Sequence, residues 1–124
     1  MLAASKLISF VATKDAAKAR SFYEQALGLS FVSDSPFAME FDANGTMLRI
    51  QKVQELLPAK HTVLGWQVAD IQAEIVALVR SGVAFERYGF LSQDDHGVWT
   101  APSGAKVVWF KDPDGNTLSL TQFE

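Results

Sequence analysis

The feature that most constrains the fold of this chain is a turn motif that occurs twice. Asp42-Ala-Asn-Gly45 lies in the first half of the 124 residues and Asp112-Pro-Asp-Gly115 in the second, and each precedes a segment in which apolar and polar residues alternate. Such alternation predicts a strand. Upstream of each turn, an aspartate begins a helical pattern and a glycine ends it, over Asp15–Gly28 and Asp70–Gly82. We therefore predict a duplicated unit of strand, helix and three strands.

The first module is predicted to cover about residues 6–52. Asp15 suits the N-cap of its helix, because its carboxylate can accept a bond from a free amide of the first turn. The apolar stripe of this helix is Ala19, Phe22, Tyr23, Ala26 and Leu27. The predicted strands lie near Lys6–Ala12, Ser30–Ser33, Phe37–Phe41 and Thr46–Lys52. Residues 53–60 are predicted to link the modules.

The second module is predicted to cover about residues 61–123 and to repeat this order. Its strands are predicted near Thr62–Val68, Ala84–Phe90, Lys106–Phe110 and Asn116–Gln122, with a helix that begins after Asp70. The irregular stretch Leu91–Gly104 is predicted to form a lid or the edge of a pocket, although long loops are often only surface excursions.

Composition and charge exclude several classes of partner. The formal charge of −3 is spread along the chain with no basic run, so nucleic-acid binding has no electrostatic support. The chain has no cysteine, which excludes disulfides and thiolate metal sites and suits the cytoplasm. The apolar run Leu2–Ala12 is interrupted by Lys6 and is too short to cross a membrane, so no membrane partner is expected. We expect one domain of 124 residues.

Alternation along the strands predicts which residues face the helices. Leu48, Ile50, Leu118 and Leu120 are predicted to pack on the helix side, as are Leu64, Trp66 and Val68. The opposite face is unusually polar, and it either meets water or lines a hollow. It is predicted to carry Met47, Arg49, Gln51, His61, Val63, Gly65, Gln67, Thr117, Ser119 and Thr121.

Three segments together resemble the vicinal oxygen chelate superfamily, which includes glyoxalases, bleomycin-resistance proteins and extradiol dioxygenases. They are Phe22–Leu29, Phe110–Asn116 and the closing Leu118–Leu120. The resemblance implies an α+β fold of two βαβββ modules that form a cup-shaped mixed sheet with helices on the outer face. It also implies a small-molecule site in the cup and a homodimer.

The metal ligands of that superfamily map onto positions that cannot bind a metal here. The first-strand ligands fall on Ile8 and Val63, and the last-strand ligands fall on Arg49 and Ser119. Two of these side chains have no lone pair, arginine repels a cation, and serine is a poor ligand. We therefore predict no metal and no cofactor. The alternative is a metal bound by His61, either because the register of the mapped strand is shifted by two residues or because His61 and Glu40 form a site outside the superfamily pattern.

Several side chains are candidates for the site. Arg49 could grip an anionic group of a ligand or could pair with Glu40, and Trp99 and Trp109 could stack on a flat ligand. The predicted ligand-binding residues are Ile8, Arg49, Gln51, Val63, Gln67, Trp99, Trp109, Ser119 and Thr121. The catalytic candidates are His61 and His96, the latter beside Asp94 and Asp95; both histidines also suit ordinary surface positions.

Three functions remain open from the sequence. The first is a metal-independent binding protein of the glyoxalase and bleomycin-resistance type that holds a small anionic or aromatic molecule. The second is a lyase, isomerase or dioxygenase of the same superfamily with a relocated active site. The third is a non-catalytic interaction domain.

Overall fold

The computed structural model describes all residues from Met1 to Glu124 and divides them into two compact units. The first unit is Met1–Leu57 and the second is Pro58–Glu124. The boundary between them falls within residues 53–60. Neither helix of the chain is long and apolar enough to cross a bilayer.

The first unit contains one helix and a four-stranded sheet. Its elements are β1 (Ile8–Thr13), α1 (Ala16–Ser21), β2 (Ser30–Asp34), β3 (Ala38–Ala43) and β4 (Thr46–Lys52), preceded by a 3₁₀ turn at Leu2–Ala4. The strand order is β1-β4-β3-β2, in which β1 runs parallel to β4 and the other neighbours are antiparallel.

The second unit repeats this arrangement. Its elements are β5 (Thr62–Gln67), α2 (Ile71–Arg80), β6 (Trp99–Thr100), β7 (Lys106–Lys111) and β8 (Thr117–Gln122). The order β5-β8-β7-β6, with β5 parallel to β8, matches that of the first sheet strand for strand. The predicted α+β fold of two βαβββ modules is therefore confirmed, with one four-stranded mixed sheet in each unit.

The two helices begin in the same way. The Asp15 carboxylate accepts a hydrogen bond from the Lys18 backbone N–H, and the Asp70 carboxylate accepts one from the Ala73 N–H, each at 3.2 Å. The first helix does not continue as a regular α-helix to Gly28. After Ser21 it becomes a π-helical turn over Phe22–Ala26, in which the Leu27 N–H donates to the Phe22 carbonyl.

The predicted strand Ala84–Phe90 is wrong. Only Phe85 bridges β7, opposite Phe110, and Trp99–Thr100 takes the edge position as β6. The side-chain amide of Gln93 accounts for the difference. It accepts from the Tyr88 N–H and donates to the carbonyls of Glu86 and Gly97. The Gln93 side chain thereby supplies hydrogen-bond partners to the Tyr88 N–H and the Glu86 carbonyl, which would otherwise need partners on a neighbouring strand.

The repeated turn motif forms two different turns. In the first, Asn44 and Gly45 both have positive φ, 51° and 91°, and form a two-residue hairpin between Ala43 and Thr46. In the second motif Pro113 stands where the first has Ala43, the last paired residue of β3, and proline has no N–H to donate to a strand ladder; this motif forms a longer loop over residues 112–116. There the Asp112 carboxylate accepts from the backbone N–H groups of Asp114 and Asn116.

The predicted burial of the apolar positions is confirmed in both sheets, but the predicted alternation fails in β8, where Thr117 and Ser119 are buried as well. Leu48 and Ile50 are fully buried in the first sheet, as are Leu118 and Leu120 in the second. Leu64, Trp66 and Val68 are half-buried, whereas the residues between them are exposed. Each sheet therefore has one face in the core and one largely open face, which in the second sheet is closed at Thr117 and Ser119.

The close approach of β5 and β8 leaves little room for a side chain at position 65, which is occupied by glycine. A Cβ atom at Gly65 would lie 2.7 Å from the Ser119 Oγ and 3.4 Å from the Ser119 carbonyl oxygen. Gly65→Ala is therefore expected to lower the free energy of unfolding by about 1–3 kcal/mol, the usual cost of overpacking.

The companion change Ser119→Ala should recover part of that loss, because it removes the Oγ that the new methyl group would meet. Urea unfolding of the wild type, both single variants and the double variant measures this coupling. Strictly additive effects would contradict the steric explanation.

Candidate ligand-binding site

The open face of the second sheet carries most of the predicted ligand-binding residues. In β7, Trp109 points away from the face of Val108 and Phe110, which are fully buried. Trp109 lies opposite Ser119, and Ser119 lies opposite Gly65. Residues opposite one another across a ladder share a face.

Four aromatic rings meet on this face. The Trp99 and Trp109 ring centroids are 6.2 Å apart with the planes inclined by 35°, and the Tyr88 ring meets Trp109 edge-on at 5.5 Å. Phe90 lies 5.8 Å from Tyr88 and is 85% exposed. We call Tyr88, Phe90, Trp99 and Trp109 the aromatic cluster. A partly exposed group of rings offers apolar area for a flat molecule.

A hydrogen bond fixes the orientation of Trp109. Its indole Nε1 donates to the Thr62 Oγ1 in β5 at 3.2 Å. Because β8 lies between β7 and β5, the indole must extend across β8 to reach that hydroxyl. The cluster is therefore built on an anchored ring and not on a freely rotating side chain.

The other predicted residues of this unit differ in accessibility. Gln67 is exposed and lies opposite the half-buried Thr121, and Val63 is exposed. Ser119 is only 8% exposed, so its hydroxyl is poorly placed to meet a ligand without rearrangement. The contribution of these four side chains to binding stays a prediction.

In the first unit, Arg49 makes the ion pair that was the alternative to ligand binding. Its Nη1 lies 2.6 Å from the Glu40 Oε1, and the other Glu40 oxygen accepts a hydrogen bond from Ser33. The Arg49 side chain remains 32% exposed. Because the Glu40 carboxylate offsets the charge of the Arg49 guanidinium, Arg49 attracts an anionic ligand less strongly. A contact between Arg49 and a ligand stays a prediction.

Ile8 and Gln51 lie on the same open face as Arg49. Ile8 is exposed opposite Met47, and Gln51 is exposed at the far end of β4. Ile8 also lines a hollow of about 320 Å³. Its walls include Lys6, Leu7, Ile8, Val32, Glu40, Asp42 and Met47.

The residues at the mapped metal positions do not fit a divalent ion. Ile8 and Val63 have hydrocarbon side chains, Arg49 is a cation engaged by Glu40, and Ser119 offers one buried hydroxyl. Both oxygens of Glu40 already have partners. No group of three His, Asp or Glu side chains in the structure lies close enough together to hold an ion.

The two histidines are exposed, and neither imidazole makes a hydrogen bond or an ion pair. The Asp94 carboxylate instead accepts from the backbone N–H groups of His96 and Val98. Desolvation alone would raise the Asp94 pKa, but the Val98 and His96 N–H bonds and the charges of His96 and Arg87 hold that pKa below its ordinary value. Asp94 thus shapes this turn, and the catalytic roles of His61 and His96 stay predictions.

Sequence reasoning missed two kinds of residue at this site. Lys111 follows Trp109 by two positions and therefore shares its face, which alternation could have shown. Thr62 meets Trp109 through a hydrogen bond between two strands. Tyr88 is held near Trp109 by the hydrogen bond of its backbone N–H to Gln93. No local sequence pattern marks either of them.

The chain consists of two βαβββ units with the same strand order, an architecture that matches the superfamily to which its sequence belongs. The chain belongs to the glyoxalase/bleomycin resistance protein/dioxygenase superfamily, whose family model matches residues 6–120. No curated protein matches the sequence.

Solved structures share the fold at low sequence identity. A glyoxalase family protein from Enterococcus faecalis has a TM-score of 0.75 at 19% identity, with 98% of this chain and 99% of that one covered. An antibiotic-binding protein from a Streptomyces species has a TM-score of 0.71 at 22% identity, with 98% of both chains covered. A fosfomycin resistance protein from Listeria monocytogenes has a TM-score of 0.75 at 12% identity, with 98% and 94% covered.

Proposed function

We propose that this protein binds a small organic molecule with a flat aromatic part and needs no metal to do so. The observation that carries the proposal is the aromatic cluster, in which Trp99 and Tyr88 both contact the anchored ring of Trp109. The similar antibiotic-binding protein has the same fold, and its binding of an antibiotic supports this proposal.

The physical basis of the proposal is apolar area together with ring geometry. Aromatic side chains bring large contact areas at little cost in conformational entropy, and they favour stacked or edge-on partners. Gln67 and Thr121 lie on the same sheet face and supply amide and hydroxyl groups that can orient a ligand. A few polar groups beside an apolar wall are typical of small-molecule sites.

The first unit carries a separate candidate contact surface of its own. Ile8 and Gln51 present apolar and amide groups on its open face, and the Arg49 side chain is 32% exposed. The Glu40 carboxylate beside Arg49 favours a neutral or hydrogen-bonding group at that position.

Binding is tested by a thermal-shift screen of flat aromatic compounds, followed by titration of the intrinsic tryptophan fluorescence. A ligand at 100 times its Kd should stabilise the folded state by about 2.7 kcal/mol. Quenching should accompany the shift, because two of the three tryptophans lie in the cluster. A screen in which no aromatic compound raises the melting temperature would overturn the proposal.

Metal independence has its own test. After incubation with zinc, nickel, manganese or iron and removal of free ions, we expect bound metal well below one equivalent per chain by elemental analysis. A chelator should leave the Kd for an aromatic ligand unchanged, since the mapped positions offer no set of donors. Tight, stoichiometric metal would refute this part of the proposal.

The enzymatic alternative has less support from the geometry. A general base must be oriented toward the proton it takes, usually by a hydrogen bond from a neighbouring group. The imidazoles of His61 and His96 have no such partner.

We further propose that the protein is a cytoplasmic homodimer. Phe10 and Met47 are both between one third and one half exposed on the open face of the first sheet, and covering them would remove apolar area from water. Light scattering coupled to size exclusion tests the dimer.

A further inference from the structure

A second feature of the second unit lies next to the aromatic cluster. It is a groove of about 440 Å³. Its walls are formed mainly by Pro58, Ala59, Lys60, Tyr88, Lys111 and Thr117. Tyr88 belongs to both the groove and the aromatic cluster, so the two are continuous.

Both charged side chains that line the groove are cationic. Lys60 is exposed and forms no ion pair with any carboxylate, and Lys111 has one acidic neighbour, with 3.5 Å between its Nζ and the Glu86 Oε1. No carboxylate lines the groove, and the Asp112 carboxylate next to Lys111 in sequence is buried and accepts hydrogen bonds from the Asn116 backbone and side-chain amides. An anionic group in the groove would therefore meet two ammonium groups and no carboxylate in its wall.

From this arrangement we infer that the groove binds a carboxylate group of the ligand, while the aromatic part of the same ligand lies on the aromatic cluster. The inference rests on the proposed function and narrows it to aromatic carboxylic acids. The sequence suggested that Arg49 binds the anionic group of a ligand. The inference assigns that role to Lys60 and Lys111 instead.

The strand geometry limits the shape of such a ligand. Lys111 and Trp109 are two positions apart in β7 and share its open face, so their Cα atoms are separated by about 7 Å. The acidic group must therefore lie within a short arm of the ring system. A fused aromatic ring with a one-carbon acidic arm has suitable dimensions.

Tyr88 is suited to donate a hydrogen bond in this groove. Burial raises the pKa of its phenol, the Glu86 charge raises it further, and the Lys111 charge opposes the rise. The net shift is upward, so the phenol keeps its proton at neutral pH and can donate to a carboxylate oxygen.

The test compares 2-naphthylacetate with 2-naphthylacetamide, which share their rings and differ in charge. Isothermal titration calorimetry should give a Kd about 3- to 10-fold lower for the carboxylate than for the amide. Lys60→Gln and Lys111→Gln should each weaken carboxylate binding by about 2- to 5-fold, the range of exposed ion pairs, and leave amide binding unchanged. The preference should also shrink between 0.01 and 0.15 M salt, because the Debye length falls from about 30 to 8 Å.

Lys106→Gln is the matched control. Lys106 is an exposed lysine of the same strand, at an alternating position that places it on the opposite face from Lys111. The substitution changes the net charge equally and should leave both affinities unchanged. Circular dichroism of all three variants establishes that they are folded.

Each outcome bears on a different part of the proposal. Equal binding of the acid and the amide would overturn the carboxylate inference and leave aromatic binding intact. A preference that survives both lysine substitutions, or that Lys106→Gln removes equally, would also overturn the groove assignment. Failure of both compounds to bind, when other flat aromatic compounds do bind, would overturn the inferred ligand class; failure of every aromatic compound would overturn the proposed function itself.

Discussion

Replacing Trp109 with alanine is expected to weaken the binding of a flat aromatic ligand by about 2 kcal/mol, or about 30-fold in Kd. Trp109 is the ring that both Trp99 and Tyr88 contact, so its removal takes away the ligand surface and the support of its neighbours. The measurement is calorimetric titration of the wild type and the variant with the strongest aromatic compound from the screen.

Two further variants separate loss of the ring from loss of the fold. Trp109→Phe keeps an aromatic ring but lacks the Nε1–H that bonds Thr62, so its affinity should be intermediate. Trp66→Phe makes the same change on the helix side of β5 and should leave the affinity unchanged. Equal affinities for the wild type and a folded Trp109→Ala variant would remove the aromatic cluster from the proposed site.

Replacing Phe41 with alanine is expected to lower the free energy of unfolding by about 3–5 kcal/mol, the usual cost of truncating a buried phenylalanine. Phe41 is 0% exposed. Its ring lies 5.5 Å from Phe31 in β2 and 6.2 Å from Tyr23 in the π-helical turn, so one substitution opens a cavity that both elements share. Chemical denaturation followed by circular dichroism gives the value.

The matched control is Phe37→Ala, four positions earlier. Phe37 is 78% exposed just before β3, and its truncation should change the free energy of unfolding by no more than about 0.5 kcal/mol. A loss for Phe41→Ala as small as that expected for Phe37→Ala would mean that the core of the first unit does not depend on Phe41.

The two variants are expected to act on different properties. Because the open face of a sheet contributes less to the core than its buried face, Trp109→Ala should reduce affinity more than stability. Phe41 lies in the core of the other unit, so Phe41→Ala should reduce stability first. Measuring both quantities for both variants therefore tests the division of each sheet into a structural face and an open face.

Parts of the fold that depend on neighbouring residues were predictable from the sequence. Asp15 and Asp70 cap their helices as expected, since an N-cap bond joins residues three positions apart. The buried leucines of β4 and β8 follow from alternation alone. The superfamily was recognisable for the same reason, because its marks are short turn and helix motifs.

Other features depended on contacts between distant residues. Gln93 takes over the backbone groups of Glu86 and Tyr88 and so prevents the predicted strand Ala84–Phe90. Arg49 pairs with Glu40 on the adjacent strand, an arrangement that the sequence left as one of two alternatives. In both cases a partner from another part of the chain decided the outcome.

The sequence by itself determined the duplicated order of elements, the helix starts and the face that each strand buries, because periodicity and capping act over a few residues. Only the tertiary structure decided which side chains meet on the open faces. Trp109 reaches Thr62 across an intervening strand, and Lys60 lines the same groove as Lys111, because sheet pairing brings together segments far apart in the chain. Their shared chemistry therefore becomes visible only once strand order and register are fixed.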